Sequence, residues 1–220
     1  MKIKCQFTSS KRNASSSNVE KVIDHSAVMG HGSYTNLQMM LYIEKIPKVV
    51  PRADKEFPFR NVYISYKIYG SNEGVRTDVR WRTNTPYIDH KMVIPISQDH
   101  MQKMDVLPFI LEVWDKDEIS ADQLVGIVNI GLGSVPRALV DPETQEINYE
   151  FLKTNQYPLL ICDDIMPIKD LGDEEKGQVQ IVLAIGTPVQ LNKFETRIKE
   201  RRDRYSENYD IKGRAHTRNE

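Results

Sequence analysis

Cysteine is scarce in this chain. Its 220 residues hold two, Cys5 and Cys162, far apart and in no Cys-x-x-Cys or Cys/His spacing. A disulfide framework or zinc site is therefore not expected, and a reducing, cytoplasmic setting is. No apolar run approaches the roughly 18–20 residues of a membrane span. Residues 1–18 carry charges and serines where a secretory signal has an apolar stretch. Net charge is also lacking: 30 basic against 31 acidic residues leave −1, which excludes retention on nucleic acid by bulk charge alone. The histidines (25, 31, 90, 100 and 216) form no metal spacing and pair with no visible nucleophile. No Gly-rich phosphate loop follows a strand and no repeat is present, so a non-enzymatic chain without a cofactor is expected.

The composition, 40% hydrophobic and 28% charged, suffices for one folded domain with tails. Residues 1–33 read as a disordered tail, polar and rich in serine around Ser9–Ser17. Asn13-Ala14-Ser15 matches a glycosylation sequon, read as chance without a signal peptide. Residues 34–188 read as a β domain, 189–206 as a charged helix and 207–220 as a flexible tail. Strands are predicted at Leu37–Ile43, Asn61–Tyr69, Arg76–Arg82, Lys91–Ile96, Pro108–Trp114, Leu124–Ile130, Tyr157–Cys162 and Val179–Ile185. Turn signals such as Gly70–Gly74, Asn84-Thr85-Pro86 and Asp115-Lys116-Asp117 separate them. About eight short strands at this spacing predict an all-β, eight-stranded antiparallel sandwich. The long connection 131–155 needs structure of its own, and Tyr149–Thr154 is its helical candidate.

Three pieces carry the most specific signal. A strand enters a loop at Asn61-Val62-Tyr63-Ile64-Ser65-Tyr66. A Pro-aromatic turn joins two strands at Thr83-Asn84-Thr85-Pro86-Tyr87. A strand ends in an aromatic residue before an Asp-x-Asp loop at Val113-Trp114-Asp115-Lys116-Asp117, and an apolar strand restarts at Leu124-Val125-Gly126. In this order they resemble a C2 domain, over roughly residues 35–186.

That resemblance implies a calcium site built from aspartates on two facing loops. Asp115 and Asp117 match two third-loop ligands. The next aligns with Gln123, and Asp122 falls one residue early. On the first loop the ligand before Pro-Tyr aligns with Asn61, while an earlier one would fall at Lys55, beside Asp54. Calcium takes six to eight hard oxygens, and this set is eroded. The competing reading makes Asp115 and Asp117 turn residues bonded to backbone N–H groups, and that reading is preferred.

Two further features stand out. Arg80 and Arg82, with Lys67 on a neighbouring strand, resemble the basic clusters with which some C2 domains hold anionic lipid headgroups; the alternative is a solvated strand face. Leu191, Phe194 and Ile198 form a short helical stripe, suited either to a partner's groove or to packing back on the sandwich. Trp81 and Trp114 are read as core residues. The function expected is a calcium-independent C2 scaffold that binds protein partners and, weakly, an anionic membrane; the alternative is calcium-dependent phospholipid binding. Leu183-Ala184-Ile185-Gly186-Thr187-Pro188, running into a charged helix, is similar to variant C2 domains of centriolar and ciliary scaffolds. That similarity implies a cytoskeletal, ciliary or centriolar location.

Overall fold

A computed structural model describes residues 37–201, apart from 55, 72, 149–151 and 153. The two tails predicted at 1–33 and 207–220 lie outside the described residues. Strand β1 (Gln38–Val49) is followed by β2 (Val62–Lys67), β3 (Gly74–Arg76) and β4 (Tyr87–Pro95). Helix α1 (Gln98–Val106), β5 (Phe109–Asp115), β6 (Gln123–Ile130), α2 (Ser134–Leu139), β7 (Leu159–Lys169) and β8 (Glu175–Gly186) complete the order. A last helix, α3, runs over residues 188–201.

The strands pair antiparallel in the order β3-β2-β5-β6-β7-β8-β1-β4. The sheet curls on itself. Although β2 and β4 lie near opposite ends of that order, the Tyr66 hydroxyl sits 2.9 Å from His90 Nε2. Two halves thus face each other, joined along the order, among the described residues, through the Ile127–Lys169 pair. A Cβ on neighbouring Gly126 would lie 2.6 Å from the Lys169 carbonyl oxygen. Glycine is what lets the two backbones meet there.

Alternation fills the core. Phe109, Leu111 and Val113 of β5 point inward, as do Val62, Ile64 and Tyr66 of β2. On β8, Val179, Ile181, Leu183 and Ile185 face the same core, while Val182 and Ala184 join a second cluster on the outer face with Met40, Tyr42, Leu191 and Ile198. Strand β8 is therefore apolar on both faces because both are covered.

Helix α3 begins with a capping box. Thr187 Oγ1 accepts from Gln190 N, Gln190 Oε1 accepts from Thr187 N, and Pro188 occupies the first turn. Leu191 and Ile198 are buried and Phe194 is half-buried against β1 and β8. Ion pairs Lys91–Glu195 and Arg201–Asp163 tie the helix to β4 and β7. Of the two readings of this stripe, a partner's groove or packing back on the sandwich, the structure shows the second: the chain's own sheet covers it.

One expectation is corrected and one element is new. The strand predicted at Arg76–Arg82 ends at Arg76. Arg82 adopts a left-handed φ of 52°, which a strand does not accommodate. Helix α1 was not foreseen. Its capping box uses His100 in place of the usual Glu or Gln, with His100 Nδ1 accepting from Ser97 N and Ser97 Oγ from His100 N.

Candidate functional site

Four loops meet at one end of the sandwich: 50–61 between β1 and β2, 77–86 between β3 and β4, 116–122 between β5 and β6, and 170–174 between β7 and β8. Cross-bonds join the first three, and one ties the first to the start of β8. Asn61 Nδ2 donates to the Lys116 carbonyl at 3.1 Å, and Asn61 Oδ1 accepts from Arg82 N at 3.0 Å. Thr83 N donates to the Arg60 carbonyl, and Val50 N to the Lys176 carbonyl. Asn61 is thus a buried bridge between three loops, with both ends of its amide committed.

Asp115 lies at the centre of this end. The alternation that buries Val113 also turns Asp115 inward, and it is 2% exposed. A buried carboxylate needs compensation. Arg52 supplies a two-pronged pair, Nε to Oδ2 at 2.7 Å and Nη2 to Oδ1 at 2.6 Å. Arg60 Nη1 donates to Oδ2 at 2.9 Å and Asn61 N to Oδ1 at 2.9 Å. Arg60 is fixed in turn through Nε to the Val50 carbonyl. The Asp115 bond pushes the Arg52 guanidinium still higher than its ordinary value, against a smaller opposing effect of burial.

A pocket of about 380 Å³ opens beside this cluster, lined by Arg52, Asp54, Arg60, Asp115, Asp117 and Gln123 among others. Three of the five residues predicted for a metal, Asp54, Asp115 and Asp117, are brought to it; Asn61 and Asp122 are not. Asp117 Oδ1 accepts from Ile119 N and Ser120 N, both at 2.8 Å. The Ser120 and Ile119 N–H groups hold its carboxyl below the usual carboxylate range. Asp54 Oδ1 caps its own turn at Glu56 N. Asp122 turns to the outer face, where it accepts from the Tyr63 hydroxyl at 2.9 Å and from Lys116 Nζ at 3.1 Å. The Tyr63 bond, followed by that of Lys116, lowers its pKa. Among the described residues no group of three or more His, Cys, Asp or Glu side chains is placed to hold a metal ion. As arranged, the donors do not fit calcium: two guanidinium groups stand on the carboxylate the ion would need.

The basic cluster is not assembled. Val62 bridges Arg80 at one end of β2, and Lys67 pairs with Gly74 at the other. The five intervening steps place them roughly 17 Å apart. Arg80 Nη2 donates to the Ile88 carbonyl, and its buried Nε has no hydrogen-bond partner among the described residues. Arg82 is exposed on the 77–86 loop.

Both tryptophans also differ from expectation. Trp81 is 50% exposed. Trp114 must face outward because its neighbours Val113 and Asp115 face inward. It stacks on Tyr63 and donates through Nε1 to Glu112, while Arg76 lies 3.5 Å over the Tyr63 ring. Of the histidines, the two described ones are held by the fold: His90 by Tyr66, and His100 by the α1 cap and the Tyr69 carbonyl.

Arg52 and Arg60 were not singled out from the sequence. The available signal was two arginines flanking an eroded first acidic loop, one beside Asp54 and one beside Asn61.

Comparison with known proteins agrees with this architecture. The family model for the C2 domain matches residues 39–150, about half of the chain. The chain is 28% identical over 138 residues to C2 domain-containing protein 3 of Mus musculus, a match covering 61% of this chain. It is 26% identical over 143 residues to the protein of that name from Homo sapiens, covering 63% of this chain. The matched stretch spans 6% of the length of either relative. Among solved structures, a C2 domain of plant Extended Synaptotagmin 1 superposes with a TM-score of 0.46 at 9% identity, covering 68% of this chain and 94% of that one. No helix in the described residues is long and apolar enough to cross a membrane. The chain belongs to the C2 domain family.

Proposed function

We propose that this chain is a non-enzymatic C2 module that docks a protein partner within a larger assembly and does so without calcium. The observation that carries the proposal is the pair of guanidinium groups on Asp115. C2 loops need positive charge among their inward carboxylates, and here Arg52 and Arg60 supply it from within the chain. A bound ion would have to displace both, leave the Arg60 bonds to the Val50 and Pro51 carbonyls strained or broken, and still find oxygens beyond Asp54 and Asp117. The dispersal of Lys67, Arg80 and Arg82 supports a protein partner over an anionic membrane. The similarity of Leu183–Pro188 to centriolar and ciliary scaffolds makes such an assembly the place to look, by imaging the tagged chain.

Thermal melting in chelator and then in about 1 mM Ca²⁺ tests the proposal. A site of about 10 µM would add roughly 2.7 kcal/mol to the native state, several degrees in Tm for a domain of this size. No shift is expected. A clear rise, lost in Asp115→Asn, would overturn the proposal in favour of calcium-dependent phospholipid binding.

A further inference from the structure

The same loop end carries large apolar side chains that the core does not use. Phe57 is 65% exposed, Phe59 55%, Ile119 99% and Leu171 84%, and Trp81 of the 77–86 loop is exposed as well. They come from all four loops; cross-bonds join the first three, and the Val50–Lys176 bond ties the first to the start of β8, which follows the fourth. Single exposed apolar residues are ordinary, but a group of them gathered at one end of a fold marks an interaction surface. Phe and Trp are among the residues enriched at interfaces, where they bury large area from few rotatable bonds.

Charge identifies the occupant. Across residues 50–61, 77–86, 116–122 and 170–174, acidic side chains outnumber basic ones. Arg52 and Arg60 are committed to Asp115 and to backbone carbonyls, Arg80 to the Ile88 carbonyl, and Lys116 and Lys176 to neighbouring carboxylates, while Arg82 stands exposed next to Trp81. Glu56 and Glu118 stand exposed beside Phe57 and Ile119. An anionic bilayer is repelled by such a rim, whereas a basic chain is attracted to it.

We infer that the four-loop end is a docking surface for a basic protein segment bearing apolar side chains, with Phe57, Phe59, Trp81, Ile119 and Leu171 as anchors and the surrounding carboxylates as its electrostatic guide. This names the partner class for the protein-docking module proposed above and rests on that reading. The segment's aliphatic or aromatic residues lie on the loop tips and its lysines or arginines meet the acidic rim.

The test uses the full chain in chelator. Its probes are a synthetic amphipathic peptide of leucine and lysine, a counterpart of leucine and glutamate, and vesicles of phosphatidylcholine with and without phosphatidylserine. The leucine–lysine peptide binds, and its affinity falls as salt rises. Phe57→Ser with Ile119→Ser weakens binding at least tenfold, the signature of lost anchors. Glu56→Lys with Glu118→Lys weakens it as well, while both variants melt within a few degrees of the parent because the replaced side chains are exposed. Equal binding of the leucine–glutamate peptide, binding of vesicles in place of the peptide, absence of binding, or indifference to both variants would each overturn the inference. Failure of the peptide to bind overturns this inference alone, binding of vesicles in its place counts against the protein-docking part of the parent proposal as well, and a calcium-induced rise in Tm overturns its calcium-independent part.

Discussion

Replacing Asp115 with Asn should change sign according to whether its two arginines are present. In the native chain the carboxylate is 2% exposed and accepts two bonds from Arg52, one from Arg60 and one from Asn61 N. An Asn amide keeps the shape but loses the charge, and one of its two ends can no longer accept. Hydrogen bonds to charged groups contribute about 1.5–3 kcal/mol each. The Arg52 side chain is 28% exposed and the Arg60 side chain 14%, so solvent screens part of the interaction, and a net loss of about 2 kcal/mol is expected. At roughly 2–4 °C per kcal/mol this lowers Tm by about 4–8 °C. In Arg52→Ala with Arg60→Ala the situation reverses. The buried carboxylate then retains a single backbone N–H, and the double variant should lose about 3–5 kcal/mol. Adding Asp115→Asn to it removes the uncompensated charge and should raise Tm. The assay is urea and thermal unfolding of the four proteins as a cycle. If Asp115→Asn lowers stability equally in both backgrounds, the arginines are not what Asp115 depends on, and the argument from a built-in cation fails.

Further expectations follow from the fold. Gly126→Ala should destabilise by about 1–3 kcal/mol, because the new methyl group meets the Lys169 backbone where the two halves of the sheet join; an unchanged urea midpoint would refute that contact. Burial lowers the pKa of both His90 and His100, opposed at His90 by Asp78 and at His100 by its backbone bond to Tyr69. The unfolded chain therefore takes up these protons first, at about 6.5, and stability should be full above that pH and decline as pH falls towards the lower folded values. A melting temperature that stays level from pH 7.5 to pH 5.5 would contradict this. Ile198→Ala should cost about 2 kcal/mol or more by opening a cavity between α3 and the sheet; a loss below about 0.5 kcal/mol would mean that the helix does not contribute to the fold.

The fold was legible where side-chain period and turn chemistry agree. Strand β5 alternates cleanly and gives way to the Asp115–Asp117 loop as the turn chemistry demands, Pro86 lies directly before the start of β4, and the C2 motifs fall in order. Arg76 to Arg82 misled because arginine alternating with Val79 and Trp81 imitates a strand, while the left-handed backbone of Arg82 is invisible in its identity. The docking of α3 was readable in principle. Met39 to Ile43 and Ile181 to Ile185 are apolar at every position, which a strand with one wet face does not permit, so something had to cover Met40, Tyr42, Val182 and Ala184. At the site, the turn role of Asp117 was anticipated from the Asx chemistry of its loop. The fate of Asp115 was not, since Arg52 and Arg60 reach it from another loop and no local pattern announces a contact 63 residues distant.

The cluster around Asp115 also alters what time means for this end of the molecule. A diffusible ion arrives and leaves, so loops that depend on one are ordered only while its concentration lasts. Guanidinium groups attached to the same folded backbone are held against the carboxylate at a fixed effective concentration, and they have no dissociation step into bulk solvent. On the calcium-independent reading proposed above, the charge balance of these loops is settled once, when the chain folds, and a chelator should leave it unchanged. Changing it afterwards requires something that competes for Asp115 in place, or local unfolding of the 50–61 loop.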